Sequence, residues 1–94
     1  YTTNRGMNTV AQFAVDADSR DLRLVDVTDS KGDCPRGMII DPKGHILIVG
    51  NQNTNTIAVF AIDPHTGQLG DPIQVLDAPT PVDFLFGTKV ELTP

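Results

Sequence analysis

Short apolar runs alternate with turn-forming residues along the whole chain, and no stretch shows the spacing of an amphipathic helix. The runs are rich in Val, Ile and Phe and are bounded by Gly, Pro, Asn and Asp, which favours strands over helices. The pattern predicts an all-β chain. Its strands are expected over residues 1–4, 9–16, 22–28, 36–40, 45–50, 56–62, 71–76 and 82–86.

Two of the predicted turns carry a recognisable signal. In residues 41–44 (Asp-Pro-Lys-Gly) the Asp can accept a backbone N–H, the Pro presets φ, and the Gly supplies a left-handed residue. Residues 63–67 (Asp-Pro-His-Thr-Gly) have the same chemistry. The equivalent stretch 16–21 has neither Pro nor Gly, so its hairpin has the weaker signal.

Residues 4–16 recur as residues 51–63, an offset of 47 residues that keeps both Asn, Thr, both Ala, Phe and Asp. Repeats of this length occur in propellers and helical arrays. Residues 46–49 and 57–62 are apolar at every position, so both faces of these strands must be covered. Sheets stacked around an axis cover both faces, and the pattern therefore predicts β-propeller blades of four strands.

The predicted strands amount to fewer than two blades. We expect residues 1–28 to supply the last three strands of one blade, 35–76 a complete blade, and 82–86 the first strand of the next or closing blade. Propellers usually close with four to eight blades, which implies that the chain is part of a longer protein. A small β-sandwich that folds alone is the alternative.

Composition excludes several classes of partner. The formal net charge is −5 with only 7 basic residues, which argues against nucleic acid or an anionic membrane surface as partner. No apolar run approaches the roughly 20 residues of a membrane helix. The one cysteine, Cys34, cannot form an internal disulfide, and no Cys/His spacing indicates a metal site. No cofactor is expected.

Several motifs together are similar to those of a known family: Asn4-Arg5-Gly6, Pro35-Arg36-Gly37, the turn 41–44 and the segment 79–84 (Pro-Thr-Pro-Val-Asp-Phe). The chain resembles the C-terminal blades of the seven-bladed lactonase family. That family includes 6-phosphogluconolactonases and fungal 3-carboxy-cis,cis-muconate lactonizing enzymes. The resemblance implies action on a small anionic sugar lactone or a carboxymuconate, without a cofactor and in the cytoplasm.

Strand order places the candidate site residues. Antiparallel blades bring turns 5–8 and 52–55 and loops 29–35 and 77–81 to one end of the sheets, here named the first rim. Arg5 and Arg36 both fall there, and two guanidiniums can clamp a phosphate or carboxylate. Asn4 and Asn51 face the same rim as candidate substrate contacts or as turn formers. His45 and His65 fall on the opposite rim.

The resemblance implies that Arg5 is a catalytic residue. For Arg36 it implies only that the residue binds substrate or orders the neighbouring loop. The alternative is that both arginines bind carbonyls of neighbouring blades. The family's general acid and base, a His and a Glu, would lie in earlier blades, because this chain has one Glu, in its tail. The segment alone is therefore expected to be inactive. Its expected partners are the lactone substrate and either the remaining blades of the parent propeller or other copies of this chain.

The competing function is a non-catalytic binding propeller of the Tyr-Val-Thr-Asn repeat type.

Overall fold

The computed structural model describes residues 1–78, and the predicted strand 82–86 lies outside the described residues. Within them the chain forms strands only, so the all-β prediction is confirmed. The strands are β1 (Thr2–Asn4), β2 (Thr9–Val15), β3 (Leu22–Asp29), β4 (Pro35–Ile40), β5 (Ile46–Asn51), β6 (Thr56–Ile62) and β7 (Leu69–Asp77).

The strands build two antiparallel sheets from consecutive hairpins. β1, β2 and β3 form the N-terminal sheet, and β4, β5, β6 and β7 form the C-terminal sheet. The sequence repeat maps β1, β2 and β3 onto β5, β6 and β7, which explains why the two sheets share strand order. The N-terminal sheet has no strand equivalent to β4 among the described residues, so the edge of β1 is unpaired there.

The hairpin turn at each copy of the repeat is closed by an Asp carboxylate. The Oδ1 atom of Asp63 accepts hydrogen bonds from the backbone N–H groups of His65 and Thr66 at 2.8 and 3.0 Å. In the hairpin at residues 16–21, whose sequence signal is weaker, Asp16 closes the turn in the same way. Arg20 adopts φ 62 there, close to the φ 72 of Gly67 in the other copy. The hairpin therefore forms without Pro or Gly because the Asp acceptor is retained.

The hydrophobic core lies between the two sheets. Its buried members are Val10, Leu47, Val49, Ala58, Phe60 and Leu69. Tyr1, Met38 and Ile62 pack around them. Val10 is the contribution of the N-terminal sheet, and the other buried members come from the C-terminal sheet. Each sheet therefore uses one face for this core and leaves its other face without a partner sheet in the described part of the chain.

Two side chains of the N-terminal sheet bind the β6–β7 turn of the C-terminal sheet. The Tyr1 hydroxyl donates a hydrogen bond to the Gly67 carbonyl, and the Gln12 amide donates one to the Thr66 carbonyl at 2.9 Å. Burial against this turn raises the pKa of the Tyr1 hydroxyl. We name these contacts the inter-sheet clasp, and they fix the two sheets at the rim opposite to the first rim.

Candidate functional site

The first rim is organised by the loop that connects the two sheets. The backbone N–H of Ser30 donates to the Asn8 carbonyl at 2.9 Å, which ties the start of the loop to the β1–β2 turn. At its other end, the N–H of Gln52 donates to the Cys34 carbonyl at 2.9 Å. A third bond joins the Asn53 N–H to the Asp33 carbonyl at 3.1 Å. The loop thus lies between turns 5–8 and 52–55 and is bound to both.

Asn8 is the principal link between the β1–β2 turn and this loop. Besides its carbonyl, its side-chain Oδ1 accepts a hydrogen bond from the Cys34 N–H at 3.0 Å. Asn8 adopts φ 57, and its repeat equivalent Asn55 adopts φ 55. Asn tolerates this left-handed conformation better than most residues. We did not predict this role from the sequence, although the recurrence of Asn8 and Asn55 in the repeat was a signal for it.

Arg36 begins β4 directly after the loop and is exposed. Its guanidinium donates to the side-chain oxygen of Gln52 at 3.4 Å. The preceding Pro35 is buried, which anchors the backbone beneath the arginine. Arg36 therefore binds a neighbouring side-chain amide, and much of its guanidinium faces solvent, where an anion could reach it.

Arg5 lies in the β1–β2 turn and is exposed. It borders an open groove of about 490 Å³ on the free face of the N-terminal sheet. Among residues 1–78 it has no hydrogen-bond or ion-pair partner. The turn that carries Arg5 and the loop that precedes Arg36 are joined through Asn8, so the structure brings their backbones to one rim. It records no direct contact between the two guanidiniums within that range.

The two candidate asparagines differ in their surroundings. Asn4 closes its own turn, because its Oδ1 accepts from the Gly6 and Met7 N–H groups at 3.0 and 3.1 Å. Asn51 is 0% exposed and donates to the Ser30 carbonyl at 2.9 Å. Its Oδ1 has no partner within the described residues. Substrate contact by either residue stays a prediction, and the hydrogen bonds show a loop-ordering use for both.

The two histidines lie away from the first rim, whereas Asp29, Lys31, Asp33 and Cys34 belong to its connecting loop. His45 is in the β4–β5 turn and His65 in the β6–β7 turn, at the ends of the strands opposite to turn 52–55. In the described range, no group of His, Cys, Asp and Glu is arranged to hold a metal ion. That range also has no helix of the length and apolarity needed to cross a membrane.

Two repeat-related antiparallel sheets, stacked face to face and joined at both rims, define this chain as part of a β-propeller. The family model described as "Lactonase, 7-bladed beta-propeller" matches residues 1–86. The chain belongs to this family.

Two curated relatives agree with the family assignment. The chain is 32% identical to the 6-phosphogluconolactonase of Bacillus subtilis over 86 residues, which are 92% of this chain and 25% of that protein. It is 39% identical to the 6-phosphogluconolactonase of Sodalis glossinidius over 75 residues, 78% of this chain and 22% of the relative. The chain therefore spans about a quarter of the length of these relatives.

Solved structures support the same family assignment. The periplasmic gluconolactonase of Pseudomonas aeruginosa superposes with a TM-score of 0.79 at 37% identity, covering 83% of this chain and 22% of that structure. A structure described as a putative 6-phosphogluconolactonase from Bacteroides fragilis superposes with a TM-score of 0.79 at 35% identity, covering 86% of this chain and 23% of that structure. The prediction of a partial propeller is confirmed.

Proposed function

We propose that this chain is the C-terminal part of a lactonase-like enzyme that hydrolyses a small anionic sugar lactone such as 6-phosphogluconolactone. The observation that carries the proposal is the loop 30–34, which joins the turn bearing Arg5 to the strand start bearing Arg36. The relatives described above, which are 6-phosphogluconolactonases, support the same chemistry. On this proposal the N-terminal sheet is the end of one blade and the C-terminal sheet is a complete blade.

Hydrolysis of a lactone needs stabilisation of the charge that develops on the carbonyl oxygen. Water loses a proton as it adds to the carbonyl carbon, the ring C–O bond then breaks, and the leaving alkoxide takes up a proton. The guanidinium of Arg5 is free to donate to the developing oxyanion, because it has no partner in the described range. The general acid and base would come from the part of the enzyme outside this chain.

Arg36 suits a different task. Because one of its N–H groups is directed to Gln52, its guanidinium is oriented before a ligand arrives. A preorganised planar fork can bind a phosphate or carboxylate through two charge-assisted hydrogen bonds. We therefore assign Arg5 to the reacting carbonyl and Arg36 to the remote anionic group of the substrate.

The test is a kinetic comparison in the complete protein. Arg5→Ala should lower kcat for 6-phosphogluconolactone by about 10²–10³-fold, the usual effect of losing one oxyanion donor. Arg36→Ala should mainly raise KM for that substrate, with a smaller effect on an uncharged lactone. Wild-type kinetics in Arg5→Ala would contradict the catalytic assignment, and equal effects on both lactones would contradict the anion-binding role of Arg36.

Two further possibilities fit the same fold. Carboxymuconate lactonization is related chemistry on this family's propeller, and the relatives described above favour the sugar lactone instead. A binding propeller without catalysis is the other. Assays of the complete protein with both substrates separate all three, because a binding module turns over neither. A cytoplasmic location likewise stays a prediction, to be tested by fractionation.

A further inference from the structure

Arg36 occupies a β-bulge at the start of β4. Its two neighbours in β4 stand opposite the consecutive residues Gly50 and Asn51, so Arg36 itself has no residue of β5 opposite to it. A bulge of this kind turns a side chain away from the regular alternation of the strand. The guanidinium of Arg36 accordingly reaches the β5–β6 turn, where its Nη1 donates to Oε1 of Gln52.

The side-chain amide of Gln52 has a defined orientation. Its Oε1 accepts a hydrogen bond from Nη1 of Arg36 at 3.4 Å and a second, weaker one from Sγ of Cys34 at 3.9 Å. A guanidinium has donors only, so the oxygen end of the amide must face Arg36. The nitrogen end, which carries two N–H donors, is left to bind an acceptor other than these two residues.

The backbone of Gln52 is held together with its side chain. Its N–H donates to the Cys34 carbonyl at 2.9 Å, and the N–H of Cys34 donates in turn to Oδ1 of Asn8 at 3.0 Å. Cys34 adopts φ 59, a left-handed conformation that is costly for its residue type and persists where surrounding contacts impose it. One network of the connecting loop therefore positions Gln52 and Arg36 against each other.

The neutrality of Gln52 decides what Arg36 can bind. A carboxylate at this position would form an ion pair with the guanidinium and offset much of its charge. The amide orients the guanidinium and leaves its positive charge for another anion. Asp33 of the connecting loop binds elsewhere, since its Oδ2 accepts from Nδ2 of Asn53 at 3.3 Å. Among the described residues, the charge of Arg36 is therefore not paired with a carboxylate.

We propose that Gln52 makes the site specific for a phosphorylated lactone. It orients Arg36 without neutralising it, and its own amide N–H groups donate to the same phosphate group of the substrate. Gln52 is the repeat equivalent of Arg5, so the same position of two successive sheets presents a donor at the first rim. The inference rests on the proposed lactonase function and adds a specificity-determining residue to it.

The test compares two lactones, with and without the phosphate group, as substrates of the complete protein. Gln52→Glu keeps the size of the side chain, removes the amide N–H donors and adds a negative charge. It should raise KM for 6-phosphogluconolactone by about tenfold or more and change KM for uncharged gluconolactone much less. Gln52→Leu is neutral and cannot orient Arg36, so it should raise KM for the phosphorylated lactone by less than Gln52→Glu does.

Salt separates the charge effect from a structural one. The wild-type KM for 6-phosphogluconolactone should rise between low and moderate salt, because ions screen the attraction between Arg36 and the phosphate. Gln52→Leu should keep this dependence. Gln52→Glu should lose most of it, since the new carboxylate and Arg36 together carry no net charge.

The matched control is Gln68→Glu, the same change at an exposed glutamine of the β6–β7 turn, whose hydrogen bonds in the described range use its backbone. That turn lies at the opposite rim, a strand length of about 17–20 Å away, which exceeds the screening length of about 8–10 Å. Its selectivity between the two lactones should therefore equal that of wild type. Circular dichroism checks the fold of each variant, and Gln52→Asp replaces Gln52→Glu if that variant loses its strands.

Two kinds of failure can be told apart. Wild-type selectivity in Gln52→Glu, equal rises in KM for both lactones, or the same loss in Gln68→Glu would overturn the role of Gln52 and leave the lactonase function in place. A wild-type protein that hydrolyses neither lactone would contradict the proposed function and this inference together.

Discussion

The side-chain oxygen of Asn8 accepts a hydrogen bond from the backbone N–H of Cys34 over 3.0 Å, across the junction of the two sheets. The carbonyl of the same Asn8 accepts the N–H of Ser30 at 2.9 Å. One residue therefore binds both ends of the connecting loop. Because Arg5 is in the turn of Asn8 and Arg36 follows Cys34 by two residues, the relative placement of the two arginines depends on Asn8.

Substitutions at Asn8 can separate its side-chain bond from its backbone conformation. Asn8→Gly keeps the left-handed φ of 57 accessible and removes the bond to Cys34, so it should cost about 1 kcal/mol of unfolding free energy. Asn8→Ala also imposes an unfavourable φ and should cost roughly 1 kcal/mol more. Urea unfolding of both variants measures the difference. Equal losses in the two variants would show that the left-handed backbone contributes nothing.

Gly67 and Gly44 form a matched pair for testing the inter-sheet clasp. Both are left-handed, at φ 72 and 73, so alanine is strained at either position. A Cβ at Gly67 would lie 2.9 Å from Gln12 Nε2 and 3.3 Å from the Tyr1 hydroxyl, whereas a Cβ at Gly44 meets nothing within 4 Å. The Gln12 amide can move away from that Cβ only by giving up its hydrogen bond to the Thr66 carbonyl, so Gly67→Ala should destabilise the chain by about 0.5–1.5 kcal/mol more than Gly44→Ala. Thermal unfolding of both variants gives the comparison, and equal shifts would mean that the clasp does not contribute.

Gly32 is the position where the connecting loop touches Asn51. A Cβ there would approach Asn51 Cβ to 2.6 Å and Thr54 Oγ1 to 2.5 Å, so Gly32→Ala should cost about 1–3 kcal/mol. For a domain of this size, a loss of 1 kcal/mol lowers Tm by roughly 4–8 °C. Gly70→Ala is the control, since a Cβ there meets nothing within 4 Å. A Gly32→Ala variant as stable as the control would contradict the close packing of this loop.

The turn aspartates predict a loss of stability in acid. Hydrogen bonds from backbone N–H groups lower the pKa of three turn aspartates below its usual value. The largest contribution comes from the Ile46 N–H for Asp41, from the Thr66 N–H for Asp63, and from the Ser19 N–H for Asp16. A depressed folded-state pKa gives stability that is present above the unfolded pKa of about 3.9 and is lost as pH falls through the lower folded value.

Replacing one of these aspartates should reduce that acid dependence. Asp63→Asn cannot titrate at this position, so its urea midpoint should fall less steeply than that of wild type between pH 5 and the acid limit. The measurement is a series of urea unfolding curves at decreasing pH. Parallel curves for the two proteins would show that the Asp63 turn adds nothing to acid sensitivity.

The two histidines should be dispensable for catalysis. His45 and His65 lie in turns at the strand ends opposite to Arg5, and a strand of this kind is about 17–20 Å long. In the complete protein, His45→Ala and His65→Ala should each change kcat by less than about tenfold, or 1.4 kcal/mol. A larger loss with stability unchanged would mean that these turns and the reacting carbonyl share one rim.

The sequence predicted the strands well because their signals are local. Runs of Val and Ile and the acceptor Asp63 act within a few residues, so the hairpins could be found without knowing how the sheets pack. The uses of Asn51 and Gln12 could not be found in that way. Asn51 donates to Ser30, 21 residues away, and Gln12 donates to Thr66, 54 residues away. Both contacts form only when the two sheets stack. A local sequence pattern does not show which residues so far apart in the chain come into contact.

The outer strand of each sheet has a further consequence for how the chain behaves at high concentration. β7 carries Pro72, which offers no N–H, and its pairing with β6 shifts register twice. The pairing of β3 with β2 shifts between Gln12 and Phe13, and the opposite edge strand β1 has three residues. Interrupted or short edges are poor templates for continuous cross-β pairing. Concentrated solutions of this chain should accordingly resist conversion into amyloid fibrils.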